Sequence, residues 1–82
     1  MPYLLVRDSD SGSLIDGLPL NEIAVVAMKT DSSVEVRDER NRRVCFGTDT
    51  LNIINTLELI GYQVVTSANF GPKEFIWTLF KQ

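Results

Sequence analysis

The chain has 82 residues, eight basic and eleven acidic, for a formal charge of -3, which is enough to build one small core but not two. A net negative field excludes non-specific capture of nucleic acid or anionic lipid. The absence of histidine removes the usual imidazole base and metal ligand, and the single cysteine, Cys45, excludes an internal disulfide framework. These features fit a reducing, cytoplasmic compartment. With no basic leader and no apolar run near ~18 residues, the sequence predicts neither secretion nor a membrane span.

Taken in chain order, Tyr3 to Val6 read as a short strand between Pro2 and the polar run Arg7-Asp8-Ser9-Asp10-Ser11-Gly12, with a return strand through Ser13-Leu14-Ile15. Gly17 and Pro19 then punctuate the chain. The apolar block Ile23 to Met28 suits either a buried strand or one short helix, and periodicity alone does not separate them. Pro19 in a first turn and Glu22 at a positive helix start favour the helix, while the branched Val25 and Val26 oppose it.

Val34 and Val36 alternate with Glu35 and Arg37, and Val44 and Phe46 alternate with Arg43 and Cys45. Asp38-Glu39-Arg40-Asn41 supply turn chemistry between them, so this pair reads as a hairpin. Next comes a helix: Thr48 or Asp49 can cap it, Ile53, Ile54, Leu57 and Ile60 form its apolar stripe, and Gly61 can take the left-handed stop. Tyr62 to Thr66 read as a strand, Asn69-Phe70-Gly71-Pro72 as a turn and Lys73 to Lys81 as the return strand.

In that last strand Phe75, Trp77 and Leu79 point to one face, and Ile76 and Phe80 to the other. Neither face is built for water. Two helices can shield only one side of so small a sheet, which leaves an apolar face for another subunit or partner, unless the chain folds back over both sides. The whole reads as one α+β domain over residues 1–82, in the order strand, strand, helix, two strands, helix, two strands.

Catalytic chemistry finds little footing. Cys45 and several hydroxyls have no histidine to activate them, and Cys45 reads as a small apolar strand residue. Asp8 and Asp10 share a side if that segment is extended and could form an acid-base or weak calcium pair, though a solvated turn accounts for them. Arg40, Arg42 and Arg43 could meet a phosphate, but Asp38 and Glu39 partly neutralise them, and a solvated hairpin tip suffices. Trp77 reads as core or as an interface anchor. A tautomerase would use Pro2 as an N-terminal amine base, yet with Met1 attached that nitrogen is an amide without a basic lone pair. A general α+β ligand-binding or assembly module is a further alternative.

Met1-Pro2-Tyr3-Leu4-Leu5, then Leu57-Glu58 followed by Gly61-Tyr62-Gln63-Val64-Val65, then Ile76-Trp77 with Leu79 and Lys81, resemble the feedback regulatory protein family of GTP cyclohydrolase I. The resemblance covers the first strand and Arg42 to Gln82, with one insertion in the last turn; Asp8 to Val36 aligns poorly. It implies a small six-stranded antiparallel sheet with two helices, assembled as a homopentameric ring, with no catalytic residues, metal or cofactor. The implied partner is GTP cyclohydrolase I. Inhibition by tetrahydrobiopterin and stimulation by phenylalanine would act at the junction with the enzyme.

By the same resemblance the effector contacts map onto Arg7, Asp8 and Asp10 and onto Asn69, Phe70, Gly71, Pro72 and Lys73. Ile76 and Phe80 would face a neighbouring subunit. The family's glutamine beside the turn glycine is replaced here by Pro72 or Lys73, and the first loop is more acidic. Lys73 could pair with an amino acid's carboxylate and Asp8 or Asp10 with its ammonium; alternatively Phe70 could fill the aromatic pocket itself.

Overall fold

The computed structural model describes residues 3–71 and 74–81. Six strands and two helices run in the order β1 (Tyr3–Ser9), β2 (Gly12–Asp16), α1 (Leu20–Thr30), β3 (Val34–Asp38), β4 (Arg43–Phe46), α2 (Thr50–Leu59), β5 (Tyr62–Gly71) and β6 (Glu74–Lys81). All pairings are antiparallel, in the sheet order β3-β4-β2-β1-β6-β5. The α+β architecture is thus the one the sequence predicts.

Period-two alternation decides which side chains meet. Leu4 lies opposite Leu79, Val6 opposite both Trp77 and Ile15, and Ile15 opposite Val44, so these residues form one apolar layer on one face of the sheet. Both helices lie on that layer. Val26 of α1 and Ile53, Ile54 and Leu57 of α2 join it in a single core that also holds Leu18, Phe46 and Tyr62. Among the described residues no helix is long and apolar enough to cross a membrane.

The ambiguous block after Pro19 is helical. Pro19 supplies an extended φ of -61° at the N-cap, and Glu22 sits in the first turn. Val25 is exposed, so only Val26 of the branched pair competes for core space. The helix stops at Asp31 in the left-handed conformation (φ 51°), where the amides of Asp31 and Ser32 reach the carbonyls of Met28 and Ala27 at 3.3 and 3.2 Å. For α2 the cap is Asp49, which accepts from the Asn52 amide at 2.9 Å, while Thr48 Oγ1 accepts from the Asn52 side chain at 2.9 Å. Gly61 follows the last turn at φ 108°, a conformation in which a side chain would be strained.

Glu22 ties α1 to the far strands. Its carboxylate accepts from the Tyr62 hydroxyl at 2.6 Å and from the Lys81 ammonium, which also lies 5.3 Å from the Tyr62 ring centre. Burial pushes the Glu22 carboxyl up, but the hydrogen bonds from Lys81 and Tyr62 and the Lys81 charge more than offset it, leaving the group below its ordinary value. Burial, and then the bond to Glu22, push the Tyr62 phenol far up.

A depressed folded pKa means that the stabilisation is complete above the ordinary glutamate value of about 4.3 and is lost as pH falls through the lower folded value. Glu22→Gln is therefore expected to cost about 1–3 kcal/mol at neutral pH. Urea unfolding followed from about pH 6 to about pH 3 should show the gap to the wild-type chain closing as Glu22 protonates.

The second face of the sheet carries no helix. At its β1–β6 part Tyr3 (47% exposed) and Leu5 (40%) stand beside the half-buried Ile76 and Phe80, with the Tyr3 and Phe80 ring centres 4.8 Å apart. Toward β3 the same face is polar. Arg37 pairs with Glu35 at 3.0 Å and reaches Ser11 at 3.3 Å, and Arg43 grips Asp16 through two bonds of 2.7 and 3.1 Å. Cys45 is buried there, its Sγ 3.7 Å from Ser11 Oγ. The alternative in which the chain covers both faces is not what is found among the described residues.

One boundary needs correction. Asn69, Phe70 and Gly71, predicted as a turn, belong to β5, where Asn69 lies opposite Phe75 and Gly71 opposite Glu74. Register shifts between Val64 and Thr66 and between Asn69 and Gly71 let the ribbon absorb extra residues and keep pairing almost to its tip.

Candidate functional site

At the end of the sheet where β1 finishes and the β5–β6 ribbon turns back, α2 covers the sheet incompletely. Asp8 and Val6 share the helix-facing side of β1, and α2 sets out from Asp49 just above them. Outward from there, Phe75 and Trp77 of β6 and Val64 and Ser67 of β5 are only partly covered. The result is a cleft of about 570 Å³ between the first turns of α2 and the ribbon, within the size range of small-ligand sites.

Its walls are mainly apolar: Leu51 and Ile54 from α2 face Val64, Phe75 and Trp77 from the ribbon. The Phe75 and Trp77 rings stack with centres 5.7 Å apart and planes 27° from parallel. Trp77 packs against the core while Phe75 stays 38% exposed and Leu51 70% exposed. Large apolar side chains left wet beside a concavity are what a binding site requires.

Polar groups enter from the β1 side. Buried Thr50 donates to the Asp8 carboxylate and lies 3.1 Å from Ser13 Oγ, and Ser13 in turn donates to the Thr48 carbonyl at 3.0 Å. The buried Thr50 hydroxyl holds the Asp8 side chain at the cleft's edge. Asp49, the cap of α2, is the second carboxylate of the lining.

Among the described residues, those predicted for effector binding lie on different faces and segments of the sheet's end. Asp8 lines the cleft, whereas its neighbour Arg7 points to the opposite face of the sheet, opposite Ile76 and Leu14. Arg7, Asp8, Phe75 and Ile76 meet only in a shallow recess of about 100 Å³ at the sheet's end. Asp10 is exposed in the turn between β1 and β2. Asn69 lies on β5 beside Phe75. The Phe70 side chain, Pro72 and Lys73 lie outside the described residues, as does Pro2.

Ile76 and Phe80, predicted at a subunit interface, lie on the helix-free face. Of the arginine trio, Arg43 is committed to Asp16, and Arg42 adopts a left-handed turn conformation at φ 53°. Among the described residues no three carboxylate or thiol side chains converge as a metal-ligand set.

The contributions of Asp49, Thr50, Leu51, Ile54, Val64, Ser67 and Phe75 were not expected from sequence. Leu51 is the one with a local signal: an apolar residue in the first turn, off the stripe of Ile53, Ile54 and Leu57. No protein-family model matches this chain, and no curated protein matches it in sequence.

Proposed function

We propose that the chain is a non-catalytic regulatory subunit that assembles as a homopentameric ring and docks on GTP cyclohydrolase I. In this reading it carries feedback inhibition by tetrahydrobiopterin and stimulation by phenylalanine. The observation that supports it most is the helix-free sheet face bearing Tyr3, Leu5, Ile76 and Phe80, which an isolated domain leaves in contact with water. The order of strands and helices and the short sequence segments resembling that regulatory family point the same way.

The physics of such a regulator is simple. Subunits joined head to tail close into a ring, and a ring matched to a symmetric enzyme face makes many weak contacts at once, so modest single-site affinity becomes firm capture. An effector at the junction shifts the enzyme only if it binds one enzyme conformation more tightly than the other; a coupling of roughly 1–3 kcal/mol changes affinity about 5- to 150-fold. Asp8 or Asp10 at the ligand's ammonium and Lys73 at its carboxylate are the proposed contacts, made only when the docked enzyme completes the site.

Size-exclusion chromatography of the chain mixed with GTP cyclohydrolase I, alone and with each effector, tests this directly. Co-elution strengthened by phenylalanine or tetrahydrobiopterin is expected. A chain that never moves to the enzyme's fraction with either effector present rejects the proposal.

A further inference from the structure

The cleft between α2 and the β5–β6 ribbon has a chemical bias that does not depend on any docked enzyme. Its lining carries two carboxylates, Asp8 and Asp49, and no lysine, arginine or histidine among the described residues. Asp49 already answers the positive start of α2 through its bond to the Asn52 amide. Asp8 is different: it is held by the neutral hydroxyl of Thr50 and makes no ion pair among the described residues. An ionised carboxylate has about four acceptor positions, so Asp8 has capacity for a charged donor. Across from it stand the stacked Phe75 and Trp77 and the apolar Leu51 and Ile54.

We infer that this cleft binds a small organic ammonium with an aromatic or alkyl body, and that it selects such an amine over the corresponding zwitterionic amino acid. The ammonium sits at Asp8, with Asp49 adding to the negative field. The apolar body lies between the ribbon's rings and α2, removing exposed surface of Phe75 and Leu51 from water. In the isolated chain an amino acid would bring its own carboxylate into a site that already has two and, among the described residues of its lining, offers no cation to meet it. The preference for the amine is therefore electrostatic, while the fit of the ring is common to both ligands.

Trp77 is the single tryptophan of the chain, so its fluorescence reports on the cleft without a label. Phenethylamine, phenylalanine and N-acetylphenethylamine, titrated into the full chain without any enzyme, share one aromatic body and differ in charge. Phenethylamine is expected to change Trp77 emission saturably, to bind at least about tenfold more tightly than the other two, and to weaken as salt is raised. Asp8→Asn, which keeps an acceptor for Thr50, should weaken it about tenfold or more. Asp49→Asn, which keeps the helix cap, should weaken it less.

Equal affinity for the amine and its neutral amide, equal affinity for phenylalanine, or no saturable change at millimolar amine overturns the inference. The ligand series on the unmodified chain decides the question even if a variant misfolds. Because no cyclohydrolase is present, failure here leaves the docking proposal standing, and failure to dock leaves this one standing.

Discussion

Replacing Leu5 by glutamate is expected to abolish ring assembly and, with it, capture of the enzyme, while leaving the domain folded. Leu5 points out of the helix-free face at 40% exposure, opposite Thr78 of β6 and beside the half-buried Ile76 and Phe80. A charge there costs the isolated domain little, because it can stay in water. In a subunit contact the same charge must be desolvated without a partner, which is a strong penalty. Losing simultaneous contacts removes the avidity gain of about 10²–10⁴, so the effect on enzyme capture should far exceed that of any single-site change. Sedimentation velocity and co-elution with GTP cyclohydrolase I check both parts. A Leu5→Glu chain that assembles and docks like the unmodified one would remove this face from the proposed contact.

The second large effect is on the fold itself. Leu57 and Leu59 are two residues apart on α2, but Leu57 is fully buried in the core and Leu59 is 79% exposed. Leu57→Ala should cost about 2–5 kcal/mol, the transfer of the lost methyl groups plus the cavity they leave. Leu59→Ala should stay within about 0.5 kcal/mol. A domain of this size has a total stability of only about 4–12 kcal/mol, taking roughly 0.05–0.15 kcal/mol per residue, so the first change consumes a large share of it. Chemical denaturation of the two variants side by side measures the contrast. Similar midpoints would mean that α2 does not pack through the stripe of Ile53, Ile54 and Leu57.

That stripe is also where the sequence was most legible. Ile53, Ile54 and Leu57 recur at helical spacing between a capping aspartate and a glycine stop, three independent local signals that agree, and α2 spans Thr50–Leu59. The hairpin of Val34/Val36 and Val44/Phe46 was legible for the same reason: alternation and turn residues coincide. The two-faced character of β6 was written in Phe75, Trp77 and Leu79 against Ile76 and Phe80. The extent of β5 was hidden because Asn69, Gly71 and Pro72 are turn formers by local preference, whereas register shifts in the ribbon carry pairing through the first two.

The cleft was less accessible still. Adjacent residues of a strand face opposite ways, which already separates Arg7 from Asp8. Mapping a binding segment onto Arg7 to Asp10 by resemblance does not say which side chains share a face; Arg7 and Asp8 leave β1 on opposite sides and meet at the recess by Phe75 and Ile76. The pairing of Asp8 with the Thr50 hydroxyl joins residues 42 positions apart and depends on where α2 lies across the sheet, which no local pattern encodes.

The pairing of β1 with β6 has one more outcome. Tyr3 lies opposite Phe80, so two strands far apart in the order of the domain must meet before the middle of the sheet can close. Early hairpins can form on their own, but the layer joining Leu4 to Leu79 comes last, and closing so wide a span costs chain entropy before it returns any contact. Folding of this domain should therefore be slow for its size and all-or-none, and a chain cut short after β5 would leave β1 with one bare flank on which another copy could add a strand.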